Sequence, residues 1–131
     1  MGALAVIGCR KGVPIENPSS SIANVHLTQA QVRKAIYDAC LMGGEWNRPS
    51  RSYSNWAPRD ISANTIEATL VVRGKHHIVV DIVYSPNMYT IKHKSTSNMN
   101  EKHGTIHPNY NVWVNTLRQN IDRQLAAEAR K

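Results

Sequence analysis

Thr65-Ile66-Glu67-Ala68-Thr69-Leu70-Val71-Val72, Arg73-Gly74-Lys75 and His76-His77-Ile78-Val79-Val80-Asp81-Ile82-Val83-Tyr84 run consecutively, and their reading decides the fold. Ile66, Ala68, Leu70 and Val72 fall on one side of an extended chain, with Thr65, Glu67, Thr69 and Val71 on the other. That period of two belongs to a strand with one buried face. Ile78, Val80, Ile82 and Tyr84 repeat the pattern beyond a turn centred on Gly74, so the two segments predict a β-hairpin. Ser85-Pro86-Asn87 turns the chain again, and Tyr89, Ile91 and His93 then alternate with Thr90, Lys92 and Lys94. The expected result is an antiparallel meander.

Helices flank the meander. Thr28 and Gln31 have the spacing of a capping box, and Leu27 and Val32 that of a hydrophobic staple. Val32, Ile36, Ala39 and Cys40 recur at helical spacing, and Gly43-Gly44 supplies a stop. Trp46 is placed to begin a short strand; residues 47–63, interrupted by Pro49 and Pro58, carry no periodic pattern. On the far side, Pro108 fits a first helical turn, where its missing N–H costs nothing. Tyr110, Trp113, Val114, Leu117, Ile121 and Leu125 make the apolar stripe of that second helix. The expected fold is α+β: an antiparallel three- to four-stranded meander sheet with an N-terminal and a C-terminal helix packed on one face. A chain of 131 residues holds one such domain.

The first residues read differently. Gly2-Ala3-Leu4-Ala5-Val6-Ile7-Gly8 is apolar and ends on Cys9, as a bacterial lipoprotein signal does, with Val6 and Gly8 at the positions that favour an aliphatic and a small residue. A secretory signal also opens on positive charge, and none precedes Arg10, so residues 1–8 read as a truncated signal remnant. Residues 9–21, with Gly12, Pro14, Pro18 and Ser19-Ser20-Ser21, read as a lipidated Cys9 followed by a flexible tether, and residues 22–131 as the single domain. At about 3.3 Å per residue, a tether from Cys9 to Ile22 would hold that domain tens of ångströms from a bilayer. Cys40 falls on a helix's buried face and reads as a small hydrophobe rather than a disulfide partner.

Sixteen Lys and Arg against nine Asp and Glu give a net charge of +7, which favours anionic partners. The basic residues are spread along the chain, without a helix-turn-helix, an arginine-dense stripe or stacking aromatics on the strands, so a cytoplasmic nucleic-acid-binding module stands as the alternative reading. No P-loop, GxGxxG, GxSxG elbow or HExxH helix occurs. Glu101, His103 and His107 could in principle share a metal, which leaves a small metal-binding enzyme as a further, less favoured alternative, but solvated loop histidines are the plainer reading, and no metal or cofactor is expected. Glu67 and Asp81 are expected to pair with Arg73, Lys75 or Lys92 across strands rather than to act as a catalytic pair. No catalytic residue is assigned.

Two surfaces are candidates for a partner. His107-Pro108-Asn109-Tyr110-Asn111 offers a histidine, amides and a ring, either as a recognition surface or as a helix start with an Asn cap and Tyr110 in the core. The sheet's far face offers Val71, Val79 and Val83, rimmed by Lys92 and Lys94. The segments Asp81-Ile82-Val83-Tyr84-Ser85, Tyr89-Thr90-Ile91 and Ile106-His107-Pro108-Asn109-Tyr110-Asn111-Val112-Trp113 with Leu117 together resemble the pattern of a family of small uncharacterised proteobacterial lipoproteins. The resemblance spans about residues 27–125. It implies an envelope protein with a signal ending on cysteine, and brings no catalytic residues. The expected function is a non-enzymatic binding or structural module. It would be tied through Cys9 to a membrane, the outer one because Arg10 rather than Asp follows, and would touch another envelope protein or an anionic envelope component.

Overall fold

The computed structural model describes residues 12–22, 26–44 and 47–131, with every side chain among them except that of Ser50. In chain order the elements are β1 (Val13–Pro14), β2 (Ser19–Ser21), α1 (Gln29–Cys40), a short 3-10 turn at Pro49–Arg51, β3 (Ala57–Ser62), β4 (Thr65–Val72), β5 (His76–Tyr84), β6 (Met88–Ser97), β7 (Thr105–Ile106) and α2 (Pro108–Ala129). Antiparallel pairing gives a five-stranded sheet in the order β2-β6-β5-β4-β3 and a two-stranded one of β1 and β7. Among the described residues no helix is long and apolar enough to cross a membrane.

The central hairpin forms as its alternation requires. Ile66, Ala68, Leu70, Ile78, Val80 and Ile82 are fully buried, while Val71 and His77 are exposed. Arg73 and Gly74 both take positive φ, 53° and 70°, and Lys75 N–H donates to Val72 O at 3.2 Å to close the turn. In β6 the register slips by one residue: Val79 faces Ser95 and Val80 faces His93, so Lys94 is an extra, bulged residue. The bulge carries the strand on to Ser97 while Tyr89 and Ile91 stay in the core.

Both helices contribute their apolar stripes to the same core as the Ile82 face of the sheet. Thr28 and Gln31 do form the capping box, with Gln31 N–H donating to Thr28 Oγ1 at 3.1 Å and Thr28 N–H to Gln31 Oε1 at 2.8 Å. The helix ends at Cys40 with Leu41 as cap, ahead of the glycines expected to stop it. With no Phe in the chain, fully buried Trp56, Trp113, Tyr89 and Tyr110 supply the aromatic bulk.

Strands β1, β2 and β3 were not foreseen. β3 lies in the stretch without a pattern because it is an edge strand: of its six residues only Pro58 is even half-buried, so no apolar alternation marks it. Proline is tolerated on such an edge. β1 and β2 lie in the stretch expected to be a flexible tether, which is corrected from Gly12 onward. Val13 and Pro14 pair with Ile106 and Thr105, and Ser19, Ser20 and Ser21 with Thr90, Tyr89 and Met88. Side chains fasten the strap between them: Asn17 Oδ1 accepts from His93 N–H at 2.7 Å, and Asn111 spans Glu16 N–H at 3.1 Å and Pro14 O at 2.9 Å. Backbone pairing needs no apolar side chain, which is why a Ser- and Pro-rich segment can be structural. The folded unit therefore includes residues 12–21 as well as the described residues from Ile22. The expected signal remnant, Cys9 and the strand at Trp46 lie outside the described residues.

Candidate functional site

The His107 block serves mostly to start α2. His107, not an asparagine, is the cap: its Nδ1 accepts from Asn109 N–H at 3.0 Å. Tyr110 is fully buried, edge-on to the His93 ring with centroids 5.4 Å apart. Burial, and then the nearby Glu101 charge, push the Tyr110 phenol's pKa upward. Asn111 is 9% exposed and its amide is committed to the N-terminal strap. Tyr110 and Asn111 are thus removed from the expected partner surface, and His107 and Asn109 remain half-buried at its edge.

The sheet's outer face is largely self-neutralised. Lys94 Nζ bridges Glu67 at 2.8 Å and Asp81 at 3.4 Å, and Arg59 Nε meets the other Glu67 oxygen at 2.7 Å. Lys94 and Arg59 therefore take the place expected of Arg73, Lys75 or Lys92. Hydrogen bonds from Lys94 and then Arg59 hold the Glu67 carboxyl below the usual range. Lys92 is exposed, and no ion pair of the described residues includes it. Val71, opposite His77 toward the end of β4, is 47% exposed.

Glu101, His103 and His107 do not converge. Glu101 turns instead to His93 Nε2 at 3.3 Å and accepts from Thr96 Oγ1 at 2.6 Å, while His103 sits exposed at φ 52°. Among the described residues no three His, Cys, Asp or Glu side chains gather as metal ligands would. Cys40 carries a free, buried thiol, pushed up to about 12 by desolvation, which keeps it protonated and inert.

A different place has the shape of a site. A cavity of about 340 Å³ lies where the chain leaves α1 and passes α2. Gly43, Gly44, Asn47 and Arg48 form one wall; Thr116, Gln119, Asn120 and Arg123 form the other. The second set recurs at i, i+3, i+4 and i+7, so it is a single polar stripe beside the apolar one. Asn120, 3% exposed, donates to Gly43 O at 3.4 Å and accepts from Arg123 Nη1 at 3.3 Å. A Cβ on Gly44 would stand 2.6 Å from Thr116 Cγ2 and 2.8 Å from Tyr53 Cε2, so only glycine lets the walls approach this closely. Trp113 Nε1 donates to Arg51 O at 2.9 Å and ties the first wall's loop to α2. Arg48 and Arg123 are 75 positions apart (123 − 48), and nothing in their local patterns marks them as neighbours. The helical spacing of 116, 119, 120 and 123 was the one readable signal. No protein family, curated protein or solved structure matches the chain.

Proposed function

We propose that the chain is a non-enzymatic binding module of the bacterial envelope, anchored to a membrane through a lipid on Cys9, which holds a small polar ligand in the cavity between Gly44 and Arg123. The observation that carries this reading is the chemistry of the cavity wall. Its described residues offer guanidiniums and amides, groups that hold a ligand; the one hydroxyl, of Thr116, is spent on Val112 O at 2.9 Å with no base beside it, and the described wall has no paired carboxylates of the kind glycosyl transfer uses. The size falls at the lower end of the roughly 300–1,000 Å³ of small-molecule sites.

The anchor rests on Val6, Gly8 and Cys9 and on the resemblance to proteobacterial lipoproteins; Arg10 favours the outer membrane. Because Gly12, three residues past Cys9, already leads into β1, the lipid would sit within about 11 Å of the folded unit, not tens of ångströms away. This reading also sets both helices on the Ile82 face of the sheet, which turns Val71, Lys92 and Lys94 toward a neighbouring envelope protein. The nucleic-acid alternative has less support, since Arg59 and Lys94 are already paired with Glu67.

The test is an NMR titration of the whole chain against a panel of small polar molecules, charged and neutral. Saturable shifts at Thr116, Gln119 and Asn120, with the ligand recovered unchanged, support the reading. Absence of any such shift, or conversion of a ligand to product, contradicts it.

A further inference from the structure

Resting on that reading, we infer that the cavity takes a small oxyanion borne on a hydroxylated molecule, the chemistry of a sugar phosphate or a sugar acid, with Arg48 and Arg123 as its charge partners. These two are the charged residues of the described wall, and no carboxylate faces them there. None of the ion pairs of the described residues includes either one.

A competing explanation is that the arginines serve the end of α1, where orphan carbonyls and the dipole attract cations. Three of the last four carbonyls at that end are already used: Tyr37 O accepts from Leu41 N–H at 3.2 Å, Ala39 O from Met42 N–H at 3.1 Å and Cys40 O from Trp56 N–H at 2.8 Å. The dipole amounts to about half a negative charge, against two full positive ones, so the described residues of the wall stay net positive.

Guanidinium forks match the planar, bidentate geometry of carboxylates and phosphates. Asn120 acts as a positioning residue, holding Arg123 through its Oδ1. The amides of Asn47 and Gln119, which make no hydrogen bond within the described residues, can donate to and accept from hydroxyls beside the anion. The cavity is open to solvent on the side of Arg48 and Arg123, and its volume of about 340 Å³ suits an occupant of monosaccharide size.

The experiment is isothermal titration of the whole chain with glucose 6-phosphate, glucuronate, inorganic phosphate, glucose, and vesicles containing phosphatidylglycerol. Saturable binding of glucose 6-phosphate or glucuronate at least about tenfold tighter than glucose is expected, weakened about tenfold or more in each of Arg48→Gln and Arg123→Gln, with unfolding midpoints unchanged. Binding confined to the vesicles and lost in both variants supports the same chemistry, carried on a lipid headgroup. Equal affinity for glucose and its phosphate overturns the anion assignment and leaves the binding module standing. Anion binding that both variants retain places the anion elsewhere and overturns it too. A ligand that shifts the cavity amides but carries no negative charge distinguishes failure here from failure of the wider reading.

Discussion

Replacing Asn111 with alanine separates a structural N-terminal strap from a loose tether. The amide accepts from Glu16 N–H at 3.1 Å and donates to Pro14 O at 2.9 Å, and it ties the strap to α2 beside Asn115, whose Nδ2 donates to Glu16 Oε1 at 3.2 Å. Each bond contributes about 0.5–1.5 kcal/mol net, and because Pro14 and Glu16 are themselves exposed, water replaces part of what is lost. The expected cost is about 1–2 kcal/mol, which for a chain of this size lowers the thermal midpoint by about 3–8 °C. Hydrogen exchange gives the sharper readout. Ile15 and Glu16 amides should exchange faster in the variant, while Ile22, bonded independently to Asn87 O at 2.6 Å, should not change. Unchanged stability, with Ile15 and Glu16 already unprotected in the wild type, would mean that residues 12–21 are free chain and the pairing of β1 is wrong.

Thr28→Ala removes the capping box and should cost about 1 kcal/mol in urea unfolding, with the slope unchanged. Acid should weaken the fold through Glu67 and Asp60. Lys94 then Arg59 hold Glu67 below its ordinary value, and Arg33 does the same for Asp60. A carboxyl with a lowered folded pKa contributes stability that is present above its unfolded value, about 4, and is lost as pH falls through the folded one. The urea midpoint should therefore drop as pH goes from about 5 toward 2, less steeply in Glu67→Gln. In a Cys9→Ser background, Cys40 should resist thiol reagents at about pH 8 until denaturant is added, and prompt reaction of the native protein would refute its burial.

The elements legible in the sequence are those whose side chains are sorted by burial. β4, β5 and β6 alternate, α1 begins on a capping box, and Trp113, Leu117 and Ile121 mark the buried side of α2. What escaped has a physical reason in each case. β3 is exposed on both sides, β1 and β2 are held by backbone bonds that composition does not encode, and Asn111 sits beside an apolar stripe as a polar residue with internal work. His107 read as a surface residue because the imidazole Nδ1 is an uncommon cap beside the expected Asn. The cavity wall depends on a contact between distant segments, so Arg48 and Arg123 could be matched only once the chain was folded.

The membrane anchor is the claim on which location, partners and the approach of the domain to the bilayer all depend. Mass spectrometry of the protein purified from its own host, expressed from its own locus, tests it directly. The account predicts a polypeptide beginning at Cys9 and carrying a thioether-linked diacylglycerol, recovered with the membrane fraction. An unmodified Cys9 in a soluble chain that still contains the residues before it would contradict the account.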